Sequence, residues 1–224
     1  MSRDSRDIDT ILEETREALI KSGEKPPYVL FPHSISGVEA IYWAQKYPNE
    51  VKATIGLDIG IPKGYVEQGL PKSALFLRKT QLLLVKLGVH RFFPSVTLHK
   101  PVLDSDYLSQ EDKDLYKALM YKKLLTKDII NELGSVMKNS SKSLELDLPT
   151  KTPICILLAT PLTEEERTKK STVVTERYNY FNDYVSNFEK GQVIPLAGKH
   201  SLYLYTPENI AKVSKEFLRS ISSP

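Results

Sequence analysis

The sequence predicts an α/β protein with a mostly parallel sheet flanked by helices. Three observations carry that expectation. Short apolar runs of strand length alternate with amphipathic helical stretches at both ends of the chain. The middle loses this alternation and reads as one helix after another. The length, 224 residues, suits one domain or one domain with an insert.

The first helix begins near Ile8, where Ile8, Ile11, Leu12, Leu19 and Ile20 recur at helical spacing. Thr10 with Glu13 can form a capping box, or Asp7 or Asp9 can cap instead, and Gly23 ends the helix. A buried strand follows at 28–31, with Pro32 at its end, where a missing ladder donor is tolerated. Residues 37–47 form a second helix, broken by Pro48 and Asn49. The next strand, 52–57, delivers Asp58 at its C-terminal end. Strand, helix and strand make a βαβ unit of ordinary length.

From 62 to about 150 helices are expected at 73–88, 110–121 and 127–139, with a looser stretch at 90–106. Ser140, Ser141, Lys142 and Ser143 read as a turn or hinge. The α/β rhythm resumes with a strand at 153–158, a long helix at 171–190 and a strand at 192–196. Thr206 followed by Pro207 opens a last helix that runs to about Ile221. The expected organisation is a first core segment, 1–62, a helical lid or cap, 63–150, and a second core segment, 151–224. The lid helices are rich in Leu, Phe and Tyr and are expected to shape an apolar pocket.

Composition narrows the function. Hydrophobic residues make up 41% and charged residues 26%, the balance of an ordinary soluble protein. The formal charge of +3 comes from 31 basic and 28 acidic residues mixed along the chain, which argues against a nucleic-acid partner. The one cysteine, Cys155, sits in an apolar strand and reads as a buried thiol, compatible with a reducing compartment. No apolar run approaches spanning length and the N-terminus lacks a signal-peptide core, so the chain as given is expected in the cytoplasm. A longer form could carry an N-terminal anchor or signal. There is no H-E-x-x-H, cysteine cluster or P-loop, so neither a metal nor another cofactor is expected.

The chemistry-bearing run is Phe31-Pro32-His33-Ser34-Ile35-Ser36-Gly37, at the turn from strand to helix. A serine hydroxyl needs a histidine base, and that histidine needs an acid to fix its tautomer and orientation. Four histidines are available. His33 adjoins Ser34 in a sharp turn, so its side chain is expected to point elsewhere. His90 and His99 fall in the expected lid. His200 follows the last strand in Leu196-Ala197-Gly198-Lys199-His200-Ser201 and is the best base. Each has a plainer reading: Ser34 a turn serine, Asp58 a cap on nearby amides, His200 a surface loop residue.

Residues 28–62 resemble the nucleophile-elbow region of the α/β-hydrolase superfamily, and the end of the chain is similar to its histidine loop and C-terminal helix. The family motif is G-x-S-x-G. Here Pro32 and Ser36 replace both glycines, with Ser36 small enough for close helix–strand approach. The resemblance implies Ser34 as nucleophile, His200 as base and the Ile35 backbone N–H as an oxyanion donor. The superfamily's usual acid position falls at Thr160 and Pro161, which cannot serve. Asp58 fits an alternative plan, with the acid after the strand that follows the nucleophile helix, and is preferred. Glu164, Glu165 and Glu166 come slightly later, and Asp183 lies within a long helix, as alternatives.

The resemblance also implies strands and a glycine-rich oxyanion loop upstream of the elbow. Only 33 residues precede Ser34, so about four strands are expected, with an open edge beside the nucleophile strand. The chain is expected to be N-terminally truncated, or to complete its sheet through a partner. The implied function is hydrolysis of a small-molecule ester or related acyl substrate through an acyl-enzyme. An aminopeptidase of the same fold and a catalytically inert binding or regulatory domain are the alternatives.

Overall fold

The computed structural model describes residues 6–69 and 72–222. The chain divides into two compact units. One contains Gly69–Ser135, the other Asp7–Gln68 and Val136–Pro224.

The second unit is built on four parallel strands in the order β1 (Tyr28–Leu30), β2 (Val51–Leu57), β3 (Ile154–Thr160) and β4 (Gly191–Ala197). Sequence order and spatial order coincide, and β1 has one sheet neighbour among the described residues. The alternation of side chains sorts the core onto two faces. Ile154, Ile156 and Leu158 of β3 pack with Ile41 of the helix α2 (Ser36–Lys46), and with Phe181 and Val185 of α10 (Ser171–Val185). Cys155 and Leu157 face the other way, with Ala53, Ile55 and Leu57 of β2, onto Ile210 and Phe217 of α11 (Pro207–Ser222). A strand buried on both faces reads as a continuous apolar run, as Ile154-Cys155-Ile156-Leu157-Leu158 does.

The helix α1 (Ile8–Lys21) is capped by Asp7, whose carboxylate accepts from the Thr10 backbone N–H at 3.2 Å. It buries Ile8, Ile11 and Leu12. Asp9 binds Lys46 of α2 at 2.5 Å and also Lys142, and accepts a hydrogen bond from Tyr42 at 2.8 Å. Those two lysine contacts, against an opposing effect of burial, hold the Asp9 carboxyl well below the usual carboxylate range.

Two expectations need correction. Residues 140–143 are no hinge: the helix α8 (Lys127–Leu144) runs through them. Ser140 and Ser143 are fully buried, and Ser143 Oγ donates to Gln45 Oε1 at 2.7 Å. Small side chains here permit close packing of the helix, a role that composition alone cannot distinguish from a turn. The long helix also stops sooner than expected, at Val185. A Cβ on Gly191 would lie 2.0 Å from the Val185 carbonyl oxygen, so a tight reversal that needs glycine brings the chain from α10 into β4.

The helical unit holds α4 (Lys72–Lys86), α5 (Pro94–Thr97), α6 (Lys100–Leu103) and α7 (Gln110–Lys123), and α8 begins in it. Short helical turns fill the stretch read from sequence as loose, and α5 and α6 each have a proline near their N-terminus. The sequence reading did not anticipate α3 (Pro62–Gln68) and α9 (Glu164–Lys169). Among the described residues no helix is long and apolar enough to cross a membrane.

Candidate active site

Ser34 and Asp58 are the only non-glycine residues with positive φ among those described, at 57° and 48°. Left-handed backbone is costly for residues with a Cβ, and such strain gathers where function over-determines it. Both stand at the C-terminal ends of adjacent strands. Ser34 follows β1 in a turn closed by Ser36, whose Oγ accepts from the His33 backbone N–H at 2.9 Å and donates to the His33 carbonyl at 2.8 Å. The close approach expected at Ser36 occurs one residue later. A Cβ on Gly37 would sit 2.4 Å from the Gly60 carbonyl oxygen and 2.7 Å from Ile59 Cβ. The Gly60 amide in turn donates to the Ser34 carbonyl at 2.9 Å, tying the elbow to the segment after β2.

His200 lies between the other two. Its Nε2 is 2.8 Å from Ser34 Oγ and its Nδ1 is 2.8 Å from Asp58 Oδ2. A carboxylate only accepts, so Nδ1 carries the proton toward Asp58 and Nε2 is left as an acceptor for the Ser34 hydroxyl. That is the tautomer a general base needs. Asp58 is buried while His200 is exposed. Burial alone would raise the Asp58 pKa. Hydrogen bonds from His200 and the Ala159 amide, together with the Arg177 cation, outweigh it and leave the carboxyl below its ordinary value.

Two participants escaped the sequence reading. Arg177, on α10, donates from Nη2 to Asp58 Oδ1 at 3.0 Å and from Nη1 to the Ala159 carbonyl at 3.3 Å. Asp58 Oδ1 also accepts the Ala159 amide at 2.8 Å, so one oxygen is anchored and the other faces His200. Nothing in the sequence marks an arginine on the exposed side of a long helix. The second is His33, whose side chain does not point away. Its Nε2 donates to the His200 carbonyl at 3.0 Å, and its ring lies 4.6 Å from that of His200. Burial pushes the His33 pKa down, partly opposed by that hydrogen bond. A tight turn separates adjacent backbones less than the sequence suggests, and the loop carrying His200 comes back over it.

The other candidates are elsewhere. Glu164 pairs with Arg167 and Glu165 with Lys169, both at 2.6 Å in the first turn of α9. Asp183 is exposed on α10, and its carbonyl accepts from Ser186 and Asn187. The Nδ1 partner of His200 is Asp58. His90 is buried in the helical unit, with Nε2 donating to the Tyr121 carbonyl. Cys155 is buried in β3, and desolvation pushes its thiol up to about 12. The Ile35 amide, at the start of α2, has no acceptor among the described hydrogen bonds. A cavity of about 360 Å³ touches Asp58, Ala159, Pro161, Val174, Arg177 and His200. Ser34 does not line it, so it meets the acid and base rather than the hydroxyl. Among the described residues no group of His, Cys, Asp or Glu is arranged to hold a metal ion.

A parallel sheet with helices on both faces, a strained serine at a strand-to-helix elbow and a histidine before the last helix define the class. The chain has the α/β-hydrolase fold. It is 42% identical over 221 residues to the uncharacterized protein YbdG of Bacillus subtilis strain 168, covering 99% of this chain and 67% of that protein. A candidate lipase (lip1) of Acinetobacter baumannii AYE shares its fold with a TM-score of 0.60 at 18% identity, over 99% of this chain and 70% of that one. A structure from work on carboxylesterases of the thaumarchaeon Nitrososphaera gargenis gives a TM-score of 0.53 at 12% identity, over 99% and 75%. No family model matches the chain.

Proposed function

We propose that the protein is a serine hydrolase acting on an ester or related acyl substrate. The observation that carries this reading is the continuous hydrogen-bonded line Ser34 Oγ–His200 Nε2 and His200 Nδ1–Asp58 Oδ2, each link 2.8 Å. In this mechanism the Ser34 oxygen bonds to the carbonyl carbon as its proton passes to His200 Nε2. Asp58 holds the ring in place and stabilises the imidazolium without taking the proton. The Ile35 N–H donates to the oxyanion, aided by the positive end of α2. The carbon–alkoxide bond then breaks and His200 gives its proton to the leaving oxygen. Water, activated by His200, cleaves the acyl-enzyme to the acid and restores Ser34. Arg177 is the positioning residue for Asp58, and His33 for the His200 loop.

A series of p-nitrophenyl esters of increasing acyl length tests the reading. Turnover by the wild-type chain that falls at least about 1,000-fold in Ser34→Ala supports it. Turnover retained by Ser34→Ala excludes Ser34 as the nucleophile.

A further inference from the structure

The helical unit carries a surface that acyl transfer does not use. Between Glu67 and Asp104 the sequence has no acidic residue, yet it holds Lys72, Arg78, Lys79, Lys86, Arg91 and Lys100. Acidic partners return only at the end of the stretch, where Lys100 meets Asp104 at 3.9 Å. The same stretch is strongly apolar, and much of its apolar side-chain surface is outside. Phe76 is 74% exposed, Leu87 68% and Phe92 83%.

Helical geometry collects these residues. With 3.6 residues per turn, Phe76 and Leu83 on α4, and Leu87 in the turn that continues it, fall within an arc of about 40°. Leu77 and Leu84, also exposed, widen the arc on one side, while Lys79 and Lys86 flank it on the other. The reverse side of α4, with Leu82 and Val85, is partly buried. The helix is therefore apolar on more of its circumference than its own packing covers. Gly88, at φ 75°, ends the helix, and the turn Val89–Phe92 with Phe93 continues the apolar surface beside Arg91.

We propose that this face docks the protein on an anionic lipid surface. Apolar area alone would fit many partners, and the charge pattern selects among them. Leu and Phe side chains gain by entering the acyl boundary, while the flanking lysines and arginines meet anionic headgroups. Each basic group near such a surface contributes favourably, and no carboxylate in the stretch opposes it. The proposal does not depend on the hydrolase reading.

Flotation of the full chain with vesicles is the test, using phosphatidylcholine alone and phosphatidylcholine with phosphatidylglycerol. The expected result is at least roughly tenfold stronger partitioning onto the anionic vesicles, weakened by added salt. The double variant Lys79→Gln/Lys86→Gln should lower that partitioning roughly tenfold or more. Leu83→Ser/Leu87→Ser should lower it too, and Lys212→Gln/Lys215→Gln on α11 should leave it unchanged. Circular dichroism confirms that each variant is folded. Equal partitioning onto neutral vesicles, no partitioning onto either, or a dimer broken by Leu83→Ser/Leu87→Ser without vesicle binding each overturns the proposal.

Discussion

The two units of this chain place apolar residues in opposite ways. In the sheet-bearing unit Ile154, Ile156, Leu157 and Leu158 are at most 2% exposed, and the residues with strained backbone are the polar Ser34 and Asp58. In the helical unit Phe76, Leu87 and Phe92 stand in solvent and the polar His90 is buried. The first unit holds a fixed polar geometry at the edge of a packed sheet, as chemistry on a reacting atom requires. The second offers area and charge, as adhesion requires.

Substitutions can break or sharpen that contrast. The largest effect is expected at the acid. Asp58→Asn should keep the fold but cost roughly 1,000- to 10,000-fold in ester turnover, because an amide can no longer hold the His200 tautomer. Glu164→Gln, assayed beside it, should leave turnover unchanged; a loss there with Asp58→Asn near wild type would move the acid to α9.

Gly37→Ala comes next and acts through packing. Its new Cβ would clash with the Gly60 carbonyl, so the elbow must shift. A loss of about 1–3 kcal/mol in denaturant unfolding is expected, with a fall in turnover. Gly88→Ala in the helical unit should also destabilise through its positive φ but spare turnover, which separates the two units.

Arg177→Gln is the subtlest. The Arg177 cation offsets part of the attraction of Asp58 for the His200 imidazolium. Removing it takes away part of what holds the Asp58 carboxyl below its ordinary value, so the loss of stability on acidification should begin at higher pH. A merely structural role would lower stability at every pH without moving that onset. Lys199, next to His200, and Lys170 and Glu166, which line the adjoining cavity, stay in place and serve as the charged background. Because Asp58 is held below its ordinary pKa, its stabilising contribution is present above about pH 4 and is lost as pH falls further.

Much of the fold was legible because both strand and helix periods were strong where burial is complete. The four strands were placed within about two residues, the usual uncertainty of element ends. Ser34, Asp58 and His200 were legible because strand ends and the loop before the last helix are points that a parallel sheet brings to one edge. What escaped depends on contacts between distant segments. Arg177 lies 119 positions from Asp58 and meets it only once α10 packs on the sheet. His33 meets His200 across 167 positions. Ser140 and Ser143 read as a turn because serine favours turns, whereas both are fully buried within α8, where Ser143 bonds Gln45 of α2. The lid helices are expected from their Leu, Phe and Tyr to shape an apolar pocket, but composition does not say which way an apolar residue faces, and Phe76 and Leu87 face outward.

The central claim is that Ser34 is an activated nucleophile. Peptide mapping by mass spectrometry after exposure to a fluorophosphonate tests it most directly. The account predicts one adduct per chain, on Ser34, absent in His200→Ala. A folded, monodisperse protein that takes no adduct, or takes it on another residue, contradicts it.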